Sequence, residues 1–129
     1  MIKFDVPAVA VGALTSLVLI VPAAVIARIV AGGDLSSGWD TGFTIYIFIA
    51  TFIGAGVAGR RQPDTPMIHG AAAGAVTYIG ARVVSALASG ELPNVIGLVL
   101  ALMIFAGVGA IGGRVATMLV EHSEREPRP

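Results

Sequence analysis

The sequence has no cysteine and little charge. Of its 129 residues, 12% are charged, and eight basic residues balance eight acidic ones. Without cysteine there is no disulfide, no thiolate metal site and no cysteine nucleophile. Zero net charge provides no basic surface for nucleic acid, so we expect no nucleic-acid partner. An ordinary soluble domain has about 25% charged residues. A small soluble protein must cover a large surface with polar groups, so this composition indicates a membrane protein.

Catalytic motifs are also missing. The long apolar stretches contain no Asp or Glu, whereas a proton-coupled exporter needs a titratable group inside the membrane. No serine–histidine–acid set, HExxH helix or phosphate-binding loop occurs. His69 has no second histidine or carboxylate cluster beside it, so we expect an interfacial residue and not a metal ligand. The sequence therefore predicts no enzyme, no cofactor and no metal site.

Hydrophobic residues make up 56% of the chain, and they fall into four long stretches. At about 1.5 Å per residue, 19 or more apolar residues in a helix cross a hydrocarbon core of about 30 Å. The pattern predicts an all-α integral membrane four-helix bundle, with spans at about 6–30, 41–60, 67–88 and 94–118. Residues 121–129 are charged and predict a disordered tail.

The distribution of basic residues predicts the orientation in the membrane. With both termini inside, six of the eight basic residues are cytoplasmic, and two lie toward the outside. The six are Lys3, Arg60, Arg61, Arg114, Arg125 and Arg128. We therefore expect a bacterial inner (plasma) membrane protein with both termini in the cytoplasm.

Two segments of the chain repeat each other. Residues 52–61 read FIGAGVAGRR and residues 105–114 read FAGVGAIGGR, with five of ten positions identical at an offset of 53. Spans one and three match more faintly, at 12–15 and 74–77. Because the order is preserved, the sequence predicts two tandem helical hairpins in the same orientation. The alternative is a chance match between Gly/Ala-rich membrane segments.

The four short spans, and the glycine-rich ends of spans two and four with their following arginines, resemble uncharacterised small four-helix membrane proteins of bacteria. The segments 52–61 and 105–114 carry this resemblance. It implies the architecture and no catalytic residues.

Small residues recur at four-residue spacing in three of the spans. Such residues share one helix face and allow another helix to approach closely. The predicted packing positions are Gly54, Gly70, Gly74, Gly109 and Gly113. The partner helix belongs either to the same bundle or to another molecule, and both readings remain open at this stage.

Arg82 is the most informative single residue. It lies about 22 Å along the third span from its inner end, in the outer part of the hydrocarbon or at its edge. The side chain either reaches the outer headgroups or acts with Tyr78 and Ser85, on roughly the same face, to bind an anion or lipid headgroup. These three residues form the candidate polar intramembrane site.

The sequence thus predicts a non-enzymatic, multi-pass membrane protein. Its expected partners are the lipid bilayer and either further copies of itself or another membrane protein, with which it associates laterally as a scaffold or accessory subunit. The alternative is an oligomeric pore or carrier for a small solute or anion, with Arg82 near the pathway.

Overall fold

The structure is a computed structural model that describes residues 4–30, 37–89 and 94–125, with side chains within 4–30, 41–87 and 94–123. Four helices occupy almost all of these ranges. They are α1 (Val6–Val30), α2 (Ser37–Arg61), α3 (Pro66–Ser89) and α4 (Val95–Arg125). Each is long and apolar enough to cross a membrane. The predicted all-α four-helix bundle is confirmed.

Polar side chains and a proline fix the starts of three helices. At α1, a carboxylate oxygen of Asp5 accepts a 3.2 Å hydrogen bond from the backbone N–H of Ala8. At α4, the amide oxygen of Asn94 accepts a 2.9 Å bond from the N–H of Ile96. Both are N-caps, which satisfy N–H groups that have no partner in the first helical turn. Helix α3 begins at Pro66, where a missing N–H costs nothing.

The helices pack as two hairpins with α2 and α3 between the other two. Helix α1 contacts α2 and α3, and α4 contacts the same two helices. Within the described ranges, α1 and α4 do not contact each other. Of the most apolar 18 residues of α4, 11% are buried, compared with 39% in α2. Helix α4 therefore has the largest unpartnered surface of the bundle.

The interface between α3 and α4 is made by glycines. A Cβ added to Gly70 would overlap the carbonyl oxygen of Gly109, and a Cβ on Gly74 would overlap the carbonyl oxygen of Phe105. Gly113 lies equally close to the start of α3. Backbones at this separation gain van der Waals contact that larger residues would prevent.

Close glycine contacts also form the interfaces of α2 with α1 and with α4. Between α1 and α2, a Cβ on Gly12 would lie 2.6 Å from the carbonyl oxygen of Gly54, and one on Gly54 would overlap the hydroxyl of Ser16. Between α2 and α4, a Cβ on Gly59 would lie 2.6 Å from Cα of Gly113. The five glycines predicted to pack helices therefore all contact helices of their own chain.

The end of α4 differs from the prediction. The helix continues to Arg125, so residues 121–125 of the segment expected to be disordered are helical. Charged residues are compatible with a helix where they are not buried, and Glu121 and His122 are exposed. Residues 126–129 of the predicted tail lie outside the described residues.

Candidate functional site

The three residues of the predicted intramembrane site have different surroundings. Tyr78 is buried, and its ring centroid lies 5.0 Å from that of Phe105 on α4. Phe105 also packs against Phe48 of α2, with ring centroids 5.4 Å apart. Tilted aromatic pairs at these distances stabilise helix contacts. Tyr78 is therefore a packing residue that joins α3 to α4, and Phe105 in turn packs against α2.

Arg82 is half-buried and Ser85 is exposed. The three residues lie on roughly one face of α3, and their exposure increases over the two turns from Tyr78 to Ser85. The Nε atom of Arg82 is buried and has no hydrogen-bond partner. At the same end of the bundle, a Cβ on Gly97 of α4 would meet nothing within 4 Å. Gly97 therefore lies on an open face of α4. An unpaired buried guanidinium N–H in a membrane span is costly, and it is the feature of this region that points to an anionic partner.

His69 has hydrogen-bond partners on both ring nitrogens, which the sequence did not predict. Its side chain is fully buried within the chain, and its expected position at the membrane interface stays a prediction. The imidazole Nε2 accepts a 2.9 Å hydrogen bond from the backbone N–H of Asp5. On the other side, Nδ1 lies 3.0 Å from both the hydroxyl and the carbonyl oxygen of Thr65. The ring is buried because Phe4 and Asp5, the two described residues before α1 and hereafter the N-terminal segment, lie against it at the start of α3.

These contacts require one tautomer of His69. A backbone N–H only donates, so Nε2 must present its lone pair to Asp5. The carbonyl oxygen of Thr65 only accepts, so Nδ1 must carry the proton. A neutral imidazole with its proton on Nδ1 satisfies both the Asp5 N–H and the Thr65 carbonyl oxygen, whereas the other neutral tautomer leaves the Asp5 N–H without an acceptor and can accept only from the Thr65 hydroxyl.

The N-terminal segment is held by two further contacts. The amide nitrogen of Gln62, in the connection between α2 and α3, donates a 2.6 Å hydrogen bond to the second carboxylate oxygen of Asp5. The ring of Phe4 stacks on the imidazole of His69, with centroids 5.4 Å apart and planes 20° apart. We call Phe4, Asp5, Gln62, Thr65 and His69 the histidine cluster.

The histidine cluster is arranged for attachment and not for acid–base catalysis. Both ring nitrogens of His69 are engaged within the chain, so neither is available to a substrate as a general base. Among the described residues, no three His, Cys, Asp or Glu side chains are grouped so that they could hold a metal ion. The cluster joins the segment before α1 to the α2–α3 connection at one end of the bundle.

Other buried polar groups are satisfied within their own helices. The hydroxyls of Ser16, Thr51 and Thr77 donate to the carbonyl oxygens four residues earlier, at 2.8–3.3 Å. Thr117 donates to the carbonyl oxygen of Arg114 at 2.8 Å. Ser and Thr inside membrane helices commonly bond back in this way. These side chains therefore fill the bundle without needing water or a solute.

Comparisons of the chain with protein families, with curated proteins and with solved structures find no match. The functional interpretation of the candidate sites therefore rests on the geometry of the structure.

Proposed function

We propose that the chain is a small multi-pass protein of the bacterial inner membrane, with both termini cytoplasmic, that acts without catalysis by lateral association with a second copy of itself. Its four apolar helices support the membrane setting. The six basic residues that this orientation keeps in the cytoplasm support the direction of insertion.

The interior of the bundle favours an association role over transport through one molecule. The glycine contacts bring α3 to α4, and α1 to α2, close to backbone contact. The buried hydroxyls bond to carbonyl oxygens of their own helices. A pathway for a solute needs both space and free polar groups between helices. The parts of this bundle that pack through glycine supply neither, so its outer surface is the better place to look for function.

One glycine on that surface carries the proposal. Gly107 of α4 is exposed, and a Cβ added to it would meet nothing within 4 Å. At the repeat offset of 53, Gly107 corresponds to Gly54 of α2, which seats α1 against Gly12 and Ser16. The position at which α2 contacts α1 in the first hairpin therefore has no neighbouring helix at the equivalent place in the second hairpin. Exposed Met103, Ile104 and Ile111 surround Gly107 and make it a notch in the apolar face of α4.

The proposed occupant of the notch is α4 of a second copy. Two copies related by a twofold axis along the membrane normal would place the same apolar face on both sides of the contact. Such a contact leaves the glycine interfaces inside each bundle unchanged. Because Gly107 has no side chain, the two helix backbones can approach closely at this position, as they do at the glycine contacts within the bundle.

Introduced cysteines test this contact, because the chain has none of its own. Ile104→Cys and Ile111→Cys lie one turn before and after Gly107, and both positions are more than half exposed. We expect oxidation in native membrane vesicles to give cross-linked dimers at one or both positions. Leu14→Cys, on the exposed face of α1, is the control and should give none.

A second substitution then distinguishes the notch from mere proximity. Gly107→Leu fills the notch and should reduce the cross-linked dimer by about tenfold or more, whereas the equally open Gly97→Leu should leave it unchanged. Equal cross-linking at Leu14→Cys would contradict the proposal. Cross-linking of α4 to a different protein in place of a dimer would contradict the choice of a second copy.

The second candidate function is an oligomeric pore or carrier for a small anion, and the unpaired Nε of Arg82 favours it. Arg82→Gln should then lower anion flux in reconstituted vesicles, while Val83→Ala, at an exposed position of α3 outside the candidate site, should leave the flux unchanged. Flux no greater than that of empty vesicles, for every anion tested, would remove this candidate.

A further inference from the structure

We propose that His69 is a proton-sensitive latch, which holds the N-terminal segment against the α2–α3 connection when neutral and releases it when protonated. The proposal does not depend on lateral association. It stands on the geometry of the histidine cluster, where His69 is fully buried and bonded on both ring nitrogens.

The neutral ring closes the latch. Its Nε2 lone pair accepts from the Asp5 N–H at 2.9 Å, and this bond joins residues 64 positions apart in the chain. Protonation places a hydrogen on Nε2, so that two donors then point at each other across the same distance. The hydrogen bond is lost, and the N–H of Asp5 is left without an acceptor next to the buried imidazole. Release of the segment returns this N–H to water.

The rest of the cluster fits this two-state behaviour. Both carboxylate oxygens of Asp5 already accept hydrogen bonds, one from Gln62 and one from the backbone of Ala8. The Asp5 carboxylate is therefore engaged in capping α1 and in holding the connection. Phe4 covers the imidazole by stacking, so its departure would open the ring to solvent in the same movement.

The other charged groups at this end of the bundle face outward. Asp5 is the titratable residue in contact with His69, through its backbone. The remaining charged residues described there are exposed, and they are Arg60 and Arg61 of α2, Asp64 of the connection, and Arg114 and Glu121 of α4. Among the described side chains, none of these charged groups is hydrogen-bonded or ion-paired to His69, so protonation of the ring is the change that acts directly on the latch.

Nitrogen-15 NMR of the full chain in nanodiscs tests the proposal. At pH 8, we expect the imidazole of His69 to carry its proton on Nδ1, and the amide of Asp5 to be protected from hydrogen exchange. As the pH is lowered to 5, across the range in which histidine changes charge, the protection of the Asp5 amide should fall on the order of tenfold. Its midpoint should coincide with that of His69 protonation.

Two variants separate the latch from general effects of pH. His122 is exposed on α4, so His122→Gln should leave the transition at Asp5 unchanged. His69→Gln keeps an acceptor for the Asp5 N–H but cannot titrate, so protection at Asp5 should persist at both pH values. If His69→Gln fails to fold, the wild-type titration with His122→Gln still decides the question.

Two results would overturn the proposal. A His69 that stays neutral down to pH 5 would show that the latch does not open in this range. A protonated His69 with an Asp5 amide as well protected as at pH 8 would show that Phe4 and the Asp5 carboxylate hold the imidazolium in place. Either result leaves the histidine cluster as a fixed attachment.

Discussion

Gly70 and Gly109 approach so closely that a Cβ added to either one would overlap the carbonyl oxygen of the other. The contact is reciprocal, and it joins α3 to α4, the two helices of the second hairpin. Neither backbone can yield without moving its whole helix. This pair therefore fixes the distance between α3 and α4.

The first prediction is that Gly70→Ala and Gly109→Ala each destabilise the bundle by about 2 kcal/mol or more, because the new methyl group must displace backbone. Unfolding by sodium dodecyl sulfate, followed by circular dichroism, measures the loss. Gly97→Ala in α4 is the matched control, since a Cβ there meets nothing within 4 Å. It should be neutral or stabilising by up to about 1 kcal/mol, through higher helix propensity. Equal destabilisation at Gly97 would contradict the proposed cause.

The same glycines show how far the sequence predicts this structure. Apolar stretches of sufficient length indicated four helices, and four-residue spacing indicated that Gly70, Gly74, Gly109 and Gly113 would pack against a helix. The spacing is identical for a contact within one bundle and a contact between molecules. Only the structure shows that Gly70 meets Gly109 of the same chain. By contrast, no pattern in the sequence distinguished Gly107, which has no neighbouring helix, from the nearby glycines that pack within the bundle.

The histidine cluster could not be predicted for a different reason. Thr65 and Pro66 indicate a helix start, which places His69 in the first turn of α3. Its main partner, Asp5, lies 64 residues earlier, and no local pattern links the two. The pairing depends on α1 lying beside α2 and α3, so that its start meets the α2–α3 connection. A histidine at a predicted membrane boundary is ordinarily solvated, whereas here the fold buries the ring against the residues before α1.

The second prediction concerns Tyr46, whose hydroxyl donates a 2.9 Å hydrogen bond to the carbonyl oxygen of Leu19 on α1. Tyr46→Phe removes this link between α1 and α2 and should destabilise the bundle by about 1 kcal/mol. The same detergent titration measures it. Phe43 lies one turn away on α2, and Phe43→Leu keeps the hydrogen bond, so it controls for changes in ring packing. An unchanged midpoint for Tyr46→Phe would show that the bond contributes nothing in lipid.

The third prediction distinguishes a packed interior from a transport pathway. The hydroxyl of Thr77 is fully buried and donates to the carbonyl oxygen of Ala73 at 2.8 Å. That carbonyl belongs to the same helix, so Thr77→Val keeps the shape and removes only a local bond. We expect a change in stability below about 1 kcal/mol. Any solute flux that the wild type shows in vesicles should also be unchanged. A large loss of flux with preserved stability would place Thr77 on a pathway and contradict the packed interior.

The fourth prediction concerns the orientation of the chain in the membrane. Asp64, in the connection between α2 and α3, and Val95, at the start of α4, are exposed at opposite ends of the bundle. Because the chain lacks cysteine, Asp64→Cys and Val95→Cys each introduce a single thiol. A maleimide that cannot cross membranes should label Val95→Cys in intact spheroplasts, and Asp64→Cys only after permeabilisation. Arg60 and Arg61, in the last turn of α2 next to this connection, are the physical reason, since basic residues at the ends of spans are retained in the cytoplasm. The reverse pattern would place both termini outside, and labelling of both thiols in intact spheroplasts would indicate two orientations.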